Sequence, residues 1–314
     1  MYLNFYHLRK EPFQITPDPE FLFLSPSHKE ALASIIYGIE QRKGFVAIIG
    51  EVGVGKTTLL RSYLEEVDRK PLKIVYIFNS NVSFRGLLKT VHQELGLTAE
   101  ADDAYEMVNR LHRWLIDEYK KGNNVVLIID EAQNMPTETL ENLRMLSNLE
   151  TSTDKLMQIL LVGQPELEHK LNQKELRQLR QRIAVKATIS PLTKEECMKY
   201  VRHRLSKVAT KEAPVFTTEA MKQIVRRSQG IPRIINILCD NSLITGFGYQ
   251  KRRIGSRIVK EVVADFEGRR RPGFWRWGLA VFVLLLLLAG IFWMYRHSES
   301  PPWGSVRLQS SRIG

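Results

Sequence analysis

Five short runs of apolar residues lie along the first 190 positions of this 314-residue chain, and stretches with helical spacing separate them. Runs rich in Val, Ile and Leu are typical of strands that are buried on both faces, as in parallel sheets. Strands that alternate with helices predict an α/β fold, in which helices cover both faces of a parallel sheet. The predicted strands are residues 45–49, 73–79, 125–129, 157–162 and 183–189.

Helical spacing of apolar residues predicts most of the remaining elements. Before position 191, one helix precedes the first strand and others follow the strands, at residues 58–64, 84–95, 104–119 and 137–147. From Pro191 onward the strand pattern fades and only helical spacing remains, at residues 193–208, 217–228, 231–246 and 256–267. The pattern therefore predicts a small α-helical lid after the sheet.

A third pattern begins near the C-terminus. The segment from Trp277 to Tyr295 contains no charged residue. At about 1.5 Å per residue, a helix of this length can cross a hydrocarbon core of roughly 30 Å. Trp275, Trp277, Trp293 and Tyr295 lie at its ends, where aromatic rings prefer the membrane interface. The segment 277–295 is therefore predicted to be a transmembrane helix.

The net charge of +12 is unevenly distributed. Residues 191–267 contain fifteen Lys and Arg against eight Asp and Glu, and residues 268–314 contain seven Arg against one Glu. In the first 190 residues the positive and negative charges nearly cancel. A basic region beside a membrane span favours contact with anionic lipid head groups or plain solvation. Nucleic-acid binding is the less favoured alternative for the same charge.

The sequence GEVGVGKT fills every fixed position of the pattern G-x-x-x-x-G-K-[ST] between a predicted strand and a predicted helix. Glycines in such a loop let successive backbone N–H groups point at phosphate oxygens, the lysine reaches the β- and γ-phosphates, and the Thr57 hydroxyl binds Mg²⁺. The pattern predicts ATP and Mg²⁺ as ligands. The expected nucleotide-binding residues are Gly50, Glu51, Val52, Gly53, Val54, Gly55, Lys56, Thr57, Thr58 and Arg233.

Two carboxylates, Asp130 and Glu131, directly follow the apolar run 125–129. The carboxyl end of this strand should lie at the same edge of the sheet as the glycine-rich loop. Asp130 is therefore expected to bind Mg²⁺ together with Thr57, and Glu131 to act as general base toward water. Capping of the helix at 137–147 is the alternative role for these carboxylates.

Four further side chains are candidates for the same site. Gln164 follows the strand at 157–162, where it could position the water or contact the γ-phosphate, or simply end the strand in a turn. Arg180 and Arg182 precede the last strand and are candidates for an arginine finger that reaches a neighbouring subunit, or for a solvated helix face. Arg233, in the segment GIPR, is expected to reach back from the lid to the phosphates.

Taken together, the chain resembles AAA+ ATPases, and more narrowly the general secretion pathway protein A family. The resemblance covers roughly residues 1–267 and rests on PFQITPDPEFLFLSPSHKEAL, YGIEQRKGF, GEVGVGKTTLLR, IIDEAQNMPTETLENLRMLSNLET, LLVGQPEL, LRQLRQRI and GIPRIIN. It implies a Walker A motif at the glycine-rich loop, a Walker B motif at Asp130 and Glu131, sensors at Gln164 and Arg233, and a finger at Arg180 or Arg182. Members of that family also have a periplasmic peptidoglycan-binding domain, and we expect this chain to be a short form without it after Tyr295.

The resemblance implies an ATPase of the bacterial inner membrane that crosses it once and keeps its ATPase domain in the cytoplasm. We expect it to form a dimer or ring and to drive an envelope secretion, polysaccharide-export or pilus system. A DNA-dependent AAA+ regulator related to transposition ATPases is the alternative, and a nucleotide switch without hydrolysis is a third hypothesis. The expected segments are an N-terminal segment and helix (1–44), a nucleotide-binding core (45–190), a lid (191–267), a basic linker (268–276), the span (277–295) and a tail (296–314).

Overall fold

The structure, a computed structural model, describes residues 1–67, 71–78, 80–97, 103–211, 214–268, 282 and 285–294. Contacts divide the chain into two units, Met1–Val263 and Ala264–Gly314.

A single five-stranded parallel sheet forms the centre of the first unit, in the order β2-β3-β4-β1-β5. All five predicted strands are present, and the α/β fold with a parallel sheet is confirmed. Every residue of β1, β3 and β4 is buried, because helices cover both faces. The strands are β1 (Phe45–Gly50), β2 (Leu72–Ile77), β3 (Asn124–Ile129), β4 (Met157–Gly163) and β5 (Ile183–Ile189).

Within the part of residues 1–190 that the structure describes, eight helices are present: α1 (Tyr2–Phe5), α2 (Pro26–Glu40), α3 (Lys56–Val67), α4 (Phe84–Glu94), α5 (Ala104–Lys120), α6 (Thr137–Leu146), α7 (Pro165–Leu171) and α8 (Arg177–Arg182). Helices α2 and α3 pack on one face of the sheet, and α4 to α8 pack on the other. Apolar periodicity does not predict α7 and α8, because six or seven residues are too few to show a helical period.

Among the described residues of the segment predicted to be a lid (191–267), four helices are present: α9 (Lys194–Val208), α10 (Thr218–Ser228), α11 (Pro232–Gly248) and α12 (Ser256–Phe266). Their shared hydrophobic core also contains four buried side chains of the N-terminal segment, Tyr6, Leu8, Phe13 and Phe21. The backbone N–H of Arg9 donates to the carbonyl oxygen of Val208 at 2.9 Å. The first residues of the chain therefore pack against the lid, an arrangement that periodicity did not reveal.

The predicted span at 277–295 is described only at Phe282 and at residues 285–294, which are helical and carry exposed apolar side chains. Its other positions lie outside the described residues, as do the tail 296–314 and the linker after Gly268. Among the residues that the structure describes, no helix has both the length and the apolar composition needed to cross a membrane.

Candidate active site

The glycine-rich loop joins the end of β1 to the start of α3, at the carboxyl edge of the sheet. Gly53 and Gly55 have φ angles of +80° and +109°, which residues with a Cβ rarely adopt. A Cβ at Gly53 would also lie 2.6 Å from the Cβ of Arg233. Val54 points the other way and is fully buried. The loop is thus shaped by backbone conformation and presents its main chain outward.

Lys56, the first residue of α3, has a buried side chain that stays inside the loop. Its Nζ donates to the carbonyl oxygens of Gly50 at 2.7 Å and Glu51 at 3.1 Å. Burial lowers the pKa of Lys56, and the nearby carboxylates, Glu131 foremost, partly oppose that shift. An ammonium group in this place is ready to bind an anion that enters the loop.

Thr57 and Asp130 meet as the sequence predicts. The Thr57 hydroxyl donates to Oδ2 of Asp130 at 3.3 Å, and the backbone N–H of Glu131 donates to Oδ1 at 2.9 Å. A third donor was not predicted: the Tyr76 hydroxyl, from β2, donates to the same Oδ2 at 2.7 Å. Burial, followed by the charge of Asp130, raises the pKa of Tyr76 above its ordinary value, so the hydroxyl remains a donor.

Glu131 has a left-handed backbone with φ of 51°, in the turn that leads from β3 into a short 3-10 helix at Ala132–Asn134. Its carboxylate Oε2 accepts a hydrogen bond from the amide of Gln164 at 2.8 Å and another from the amide of Gln133. Gln133 Oε1 in turn accepts from the backbone N–H of Gln164 at 3.1 Å. The predicted base and sensor are therefore bonded directly, and Gln133, which the sequence did not indicate, links them a second time.

The lid contacts the loop directly. The backbone N–H of Arg233, at the start of α11, donates to the carbonyl oxygen of Gly53 at 3.1 Å. Arg233, Val52 and Thr58 line a cavity of about 320 Å³, together with Glu131 and other residues of the N-terminal segment, the loop and the lid. A cavity of this size is in the range of small-molecule sites.

A row of polar contacts forms the lid wall of this cavity. Arg204 Nη1 donates to the Tyr200 hydroxyl at 2.8 Å, and that hydroxyl donates to Oδ1 of Asn236 at 2.9 Å. Asn236 Nδ2 donates to the carbonyl oxygen of Gln14 at 3.1 Å, and the Arg204 guanidinium lies 4.6 Å from the centroid of the Phe21 ring. These contacts tie the N-terminal segment to the lid at the cavity.

His28, on α2, contacts the backbone of the glycine-rich loop at Val54. Its Nε2 lies 3.0 Å from the carbonyl oxygen of Val54, and because a carbonyl can only accept, Nε2 carries the proton. Its Nδ1 lies 2.7 Å from Oγ of Ser25. Burial lowers the pKa of His28, so the neutral ring is the form that fits this place.

The two finger candidates lie at the amino ends of the strands, on the opposite side of the sheet from the glycine-rich loop. Both belong to α8, which precedes β5 and therefore lies at the amino end of that strand. The glycine-rich loop lies at the carboxyl end of the neighbouring parallel strand β1. At about 3.3 Å per residue, the length of β5 separates α8 from the loop by roughly 20 Å. Arg180 donates to Oδ1 of Asn172 at 2.9 Å, and Arg182 donates to Oγ of Ser147 and, at 2.6 Å, to Oδ1 of Asn148. Neither arginine can reach the loop of its own chain.

The ligands expected for Mg²⁺ fit that ion chemically. Mg²⁺ prefers oxygen ligands and is usually held by one or two protein carboxylates together with water and substrate phosphates. The hydroxyl of Thr57 and the carboxylate of Asp130 supply such oxygens within 3.3 Å of each other, next to the loop.

Comparison with known proteins agrees with this geometry. Residues 39–171 match the AAA domain family. The fold is similar to that of Aeropyrum pernix ORC2 in its ADPNP-ADP complexes, with a TM-score of 0.57, 16% identity and coverage of 80% of this chain and 72% of that chain. It is also similar to that of Cdc6p from Pyrobaculum aerophilum, with a TM-score of 0.59, 17% identity and coverage of 83% of this chain and 70% of that chain. At these identities the likeness shows the fold alone. The class is thus a P-loop protein with an AAA domain.

Comparison of the sequence with individual proteins points to a more specific relative than the fold does. The chain is 39% identical over 294 residues to general secretion pathway protein A of Aeromonas hydrophila. The aligned region covers 93% of this chain and 53% of that protein. The chain is 26% identical over 162 residues to an uncharacterized HTH-type transcriptional regulator of Methanocaldococcus jannaschii, covering 50% and 39%. The chain thus spans about half or less of the length of these relatives. The resemblance inferred from the motifs is confirmed: residues 39–171 match the AAA domain family, and 93% of the chain is similar to general secretion pathway protein A.

Proposed function

We propose that this chain binds ATP with Mg²⁺ at the glycine-rich loop and hydrolyses it there. The observation that carries the proposal is the convergence of Lys56, Thr57, Asp130 and Glu131 at the carboxyl ends of the strands, beside a cavity that lid residues line on one side. A cation, a magnesium ligand pair and a base within one site are what hydrolysis of a phosphoanhydride requires.

Each side chain then has a distinct part in binding. Lys56 exchanges its hydrogen bonds to the loop carbonyls for bonds to phosphate oxygens. Thr57 and Asp130 would hold Mg²⁺, which would neutralise charge on the phosphates when bound. Arg233 extends from the lid toward the same phosphates, and the cavity between lid and N-terminal segment takes the nucleoside.

Glu131 is the proposed general base. It accepts a proton from water as the water oxygen attacks the γ-phosphorus, and the bond from that phosphorus to the bridging oxygen of ADP breaks. Gln164 and Gln133 hold the carboxylate through Oε2, so Glu131 enters the reaction in a fixed orientation.

The site is proposed to be completed by a second copy of the chain. Arg180 and Arg182 lie too far from their own loop to act there, whereas on a neighbouring subunit of a dimer or ring either could contact the γ-phosphate. An oligomer would therefore hydrolyse ATP faster than a monomer.

We further propose that residues 277–295 anchor the ATPase in the bacterial inner membrane, with the ATP site in the cytoplasm. Support comes from the uncharged segment with aromatic ends and from the similarity to a protein named for the general secretion pathway. The ATPase would then drive assembly or operation of an envelope secretion, polysaccharide-export or pilus system. Leu286→Arg together with Leu288→Arg should release the full chain from membrane pellets, and a variant that still sediments with them and resists carbonate extraction would contradict the anchor.

Lys56→Ala tests nucleotide binding. Binding of a fluorescent ATP analogue and steady-state phosphate release should both be lost, because the cation that meets the phosphates is gone. Lys174→Ala changes an exposed lysine elsewhere and is the matched control. A Lys56→Ala protein that binds and hydrolyses ATP like the control would contradict the site.

The DNA-dependent regulator stays the second candidate because the lid carries many exposed basic side chains, among them Lys222, Arg226 and Arg257. Such a protein should bind duplex DNA with a steep salt dependence and gain ATPase activity from it. Stimulation by anionic vesicles and none by DNA would favour the membrane ATPase.

A further inference from the structure

Asp130, the expected magnesium ligand, is held by a hydroxyl group from a neighbouring strand. The Tyr76 hydroxyl donates to Oδ2 at 2.7 Å, shorter than the 3.3 Å contact that Thr57 makes to the same oxygen. The other oxygen, Oδ1, accepts the backbone N–H of Glu131. Both oxygens of this 7%-exposed carboxylate therefore have donors, and the best-placed side-chain donor is the tyrosine.

The ring of Tyr76 is itself held in place. Tyr76 pairs with Ile128 across β2 and β3, so its side chain lies on the α3 face of the sheet, against the core of that face. Its ring also stacks on the Phe78 ring, with centroids 4.3 Å apart and planes at 29°. Phe78 is 77% exposed, so its ring covers Tyr76 from the solvent side. A half-buried ring fixed in this way gives its hydroxyl one direction.

We propose that Tyr76 is the positioning residue for the magnesium site: its hydroxyl fixes the Asp130 carboxylate in the orientation that the metal requires. The inference rests on the proposed binding of ATP with Mg²⁺. The Tyr76 hydroxyl would hold Oδ2 without itself being a ligand of the metal, whereas the Thr57 hydroxyl would serve the metal as well. Hydrogen-bond partners of metal-ligating carboxylates act in this way generally, and their loss typically costs about 10–100-fold in metal affinity or activity.

The chain offers a matched control. Tyr119 donates through its hydroxyl to Oδ2 of Asp154, also at 2.7 Å, but this pair lies away from the loop. Tyr76→Phe and Tyr119→Phe therefore each remove one tyrosine–aspartate hydrogen bond of the same length. Only the first should affect magnesium.

The experiment measures binding of N-methylanthraniloyl-ADP to the full chain by fluorescence, first in EDTA and then across a titration of Mg²⁺. For Tyr76→Phe we expect unchanged affinity in EDTA and a half-saturating Mg²⁺ concentration about 10–100-fold higher than for the wild type. Tyr119→Phe should follow the wild type in both conditions. Phe78→Ala, which removes the stacked ring but leaves the hydroxyl, should shift the Mg²⁺ titration in the same direction by a smaller factor.

Three results would overturn the inference. If the Mg²⁺ titration of Tyr76→Phe matches that of the wild type, Tyr76 has no part in metal binding and the inference is wrong. The proposed function would still stand in that case, provided that the wild type binds the nucleotide in a Mg²⁺-dependent way. Equal shifts in Tyr76→Phe and Tyr119→Phe, or equal weakening in EDTA and in Mg²⁺, would indicate a general structural effect. A wild-type chain that binds no nucleotide with or without Mg²⁺ would remove the proposed function and this inference together.

Discussion

The amide of Gln164 donates to the carboxylate of Glu131 at 2.8 Å. This bond links the carboxyl end of β4 to the carboxyl end of β3, beside the glycine-rich loop. The two residues are 33 positions apart in sequence. Because Gln133 donates to the same oxygen, two side-chain amides hold the carboxylate of the proposed base through Oε2.

Gln164→Ala should slow turnover and leave nucleotide affinity nearly unchanged. A hydrogen bond to a charged group contributes about 1.5–3 kcal/mol, which corresponds to a kcat about 10–100-fold lower if the bond acts mainly in the transition state. Steady-state phosphate release and analogue binding measure the two effects. Gln173→Ala, at an exposed position, is the control. A Gln164→Ala enzyme with wild-type kcat would contradict the positioning role.

Arg182→Ala and Arg180→Ala test whether subunits share sites. If one of them is a finger, that variant alone should be nearly inactive, but mixing it with Lys56→Ala should restore part of the activity. The Lys56→Ala subunit cannot bind nucleotide, yet it still supplies an arginine to the intact loop of its partner. Mixtures with no more activity than their components, and a specific activity independent of protein concentration, would exclude an in-trans role.

Gly53→Ala should destabilise the loop and its contact with the lid. A left-handed backbone costs a residue with a Cβ about 1–2 kcal/mol, and the new methyl would also meet Arg233. Gly96→Ala is a matched control, because Gly96 also has a positive φ, +69°, but a Cβ there meets nothing within 4 Å. Thermal unfolding should show a larger loss for Gly53→Ala, with weaker nucleotide binding. Equal losses in both variants would mean that the lid contact adds nothing.

His28 should make the stability of the sheet region depend on pH. Burial lowers the pKa of His28 in the folded chain, so the unfolded chain takes up the proton more readily. The free energy of unfolding contributed by this residue is therefore fully present at pH above the unfolded value of about 6.5 and is lost as the pH falls below it.

Denaturant unfolding of the wild type and of His28→Gln between pH 5 and 7.5 measures this contribution. The wild type should lose more stability than the variant on acidification, and His169→Gln, at an exposed position, should behave as the wild type. Parallel pH profiles for the wild type and His28→Gln would contradict the assignment.

Much of the sheet and the loop was predictable because their signals are local. Buried strands read as continuous apolar runs, and the spacing of Gly50, Lys56 and Thr57 is fixed by phosphate binding. Contacts of Tyr76 and Gln133 were not predictable, because each depends on which strand ends meet in the fold. In the sequence Tyr76 is simply one residue of a strand, and Gln133 one residue of a turn.

The N-terminal segment shows the same limit at a larger scale. Its aromatic residues read as a loop with no period, yet Phe13 and Phe21 are buried in the core of a lid that begins 170 residues later. Such contacts join distant parts of the chain, and no local pattern of apolar residues encodes them.

The central claim is that this chain hydrolyses ATP with Glu131 as the base, and Glu131→Gln tests it most directly. The substitution keeps the size of the side chain and removes its ability to accept a proton, and general-base catalysis contributes about 10²–10⁴-fold. In a single experiment, labelled ATP is bound to the wild type and to the variant in Mg²⁺, and bound ATP and ADP are followed with time. We predict that Glu131→Gln binds ATP as tightly as the wild type and retains it unhydrolysed, while the wild type converts it to ADP. Conversion by the variant at the wild-type rate would contradict the account.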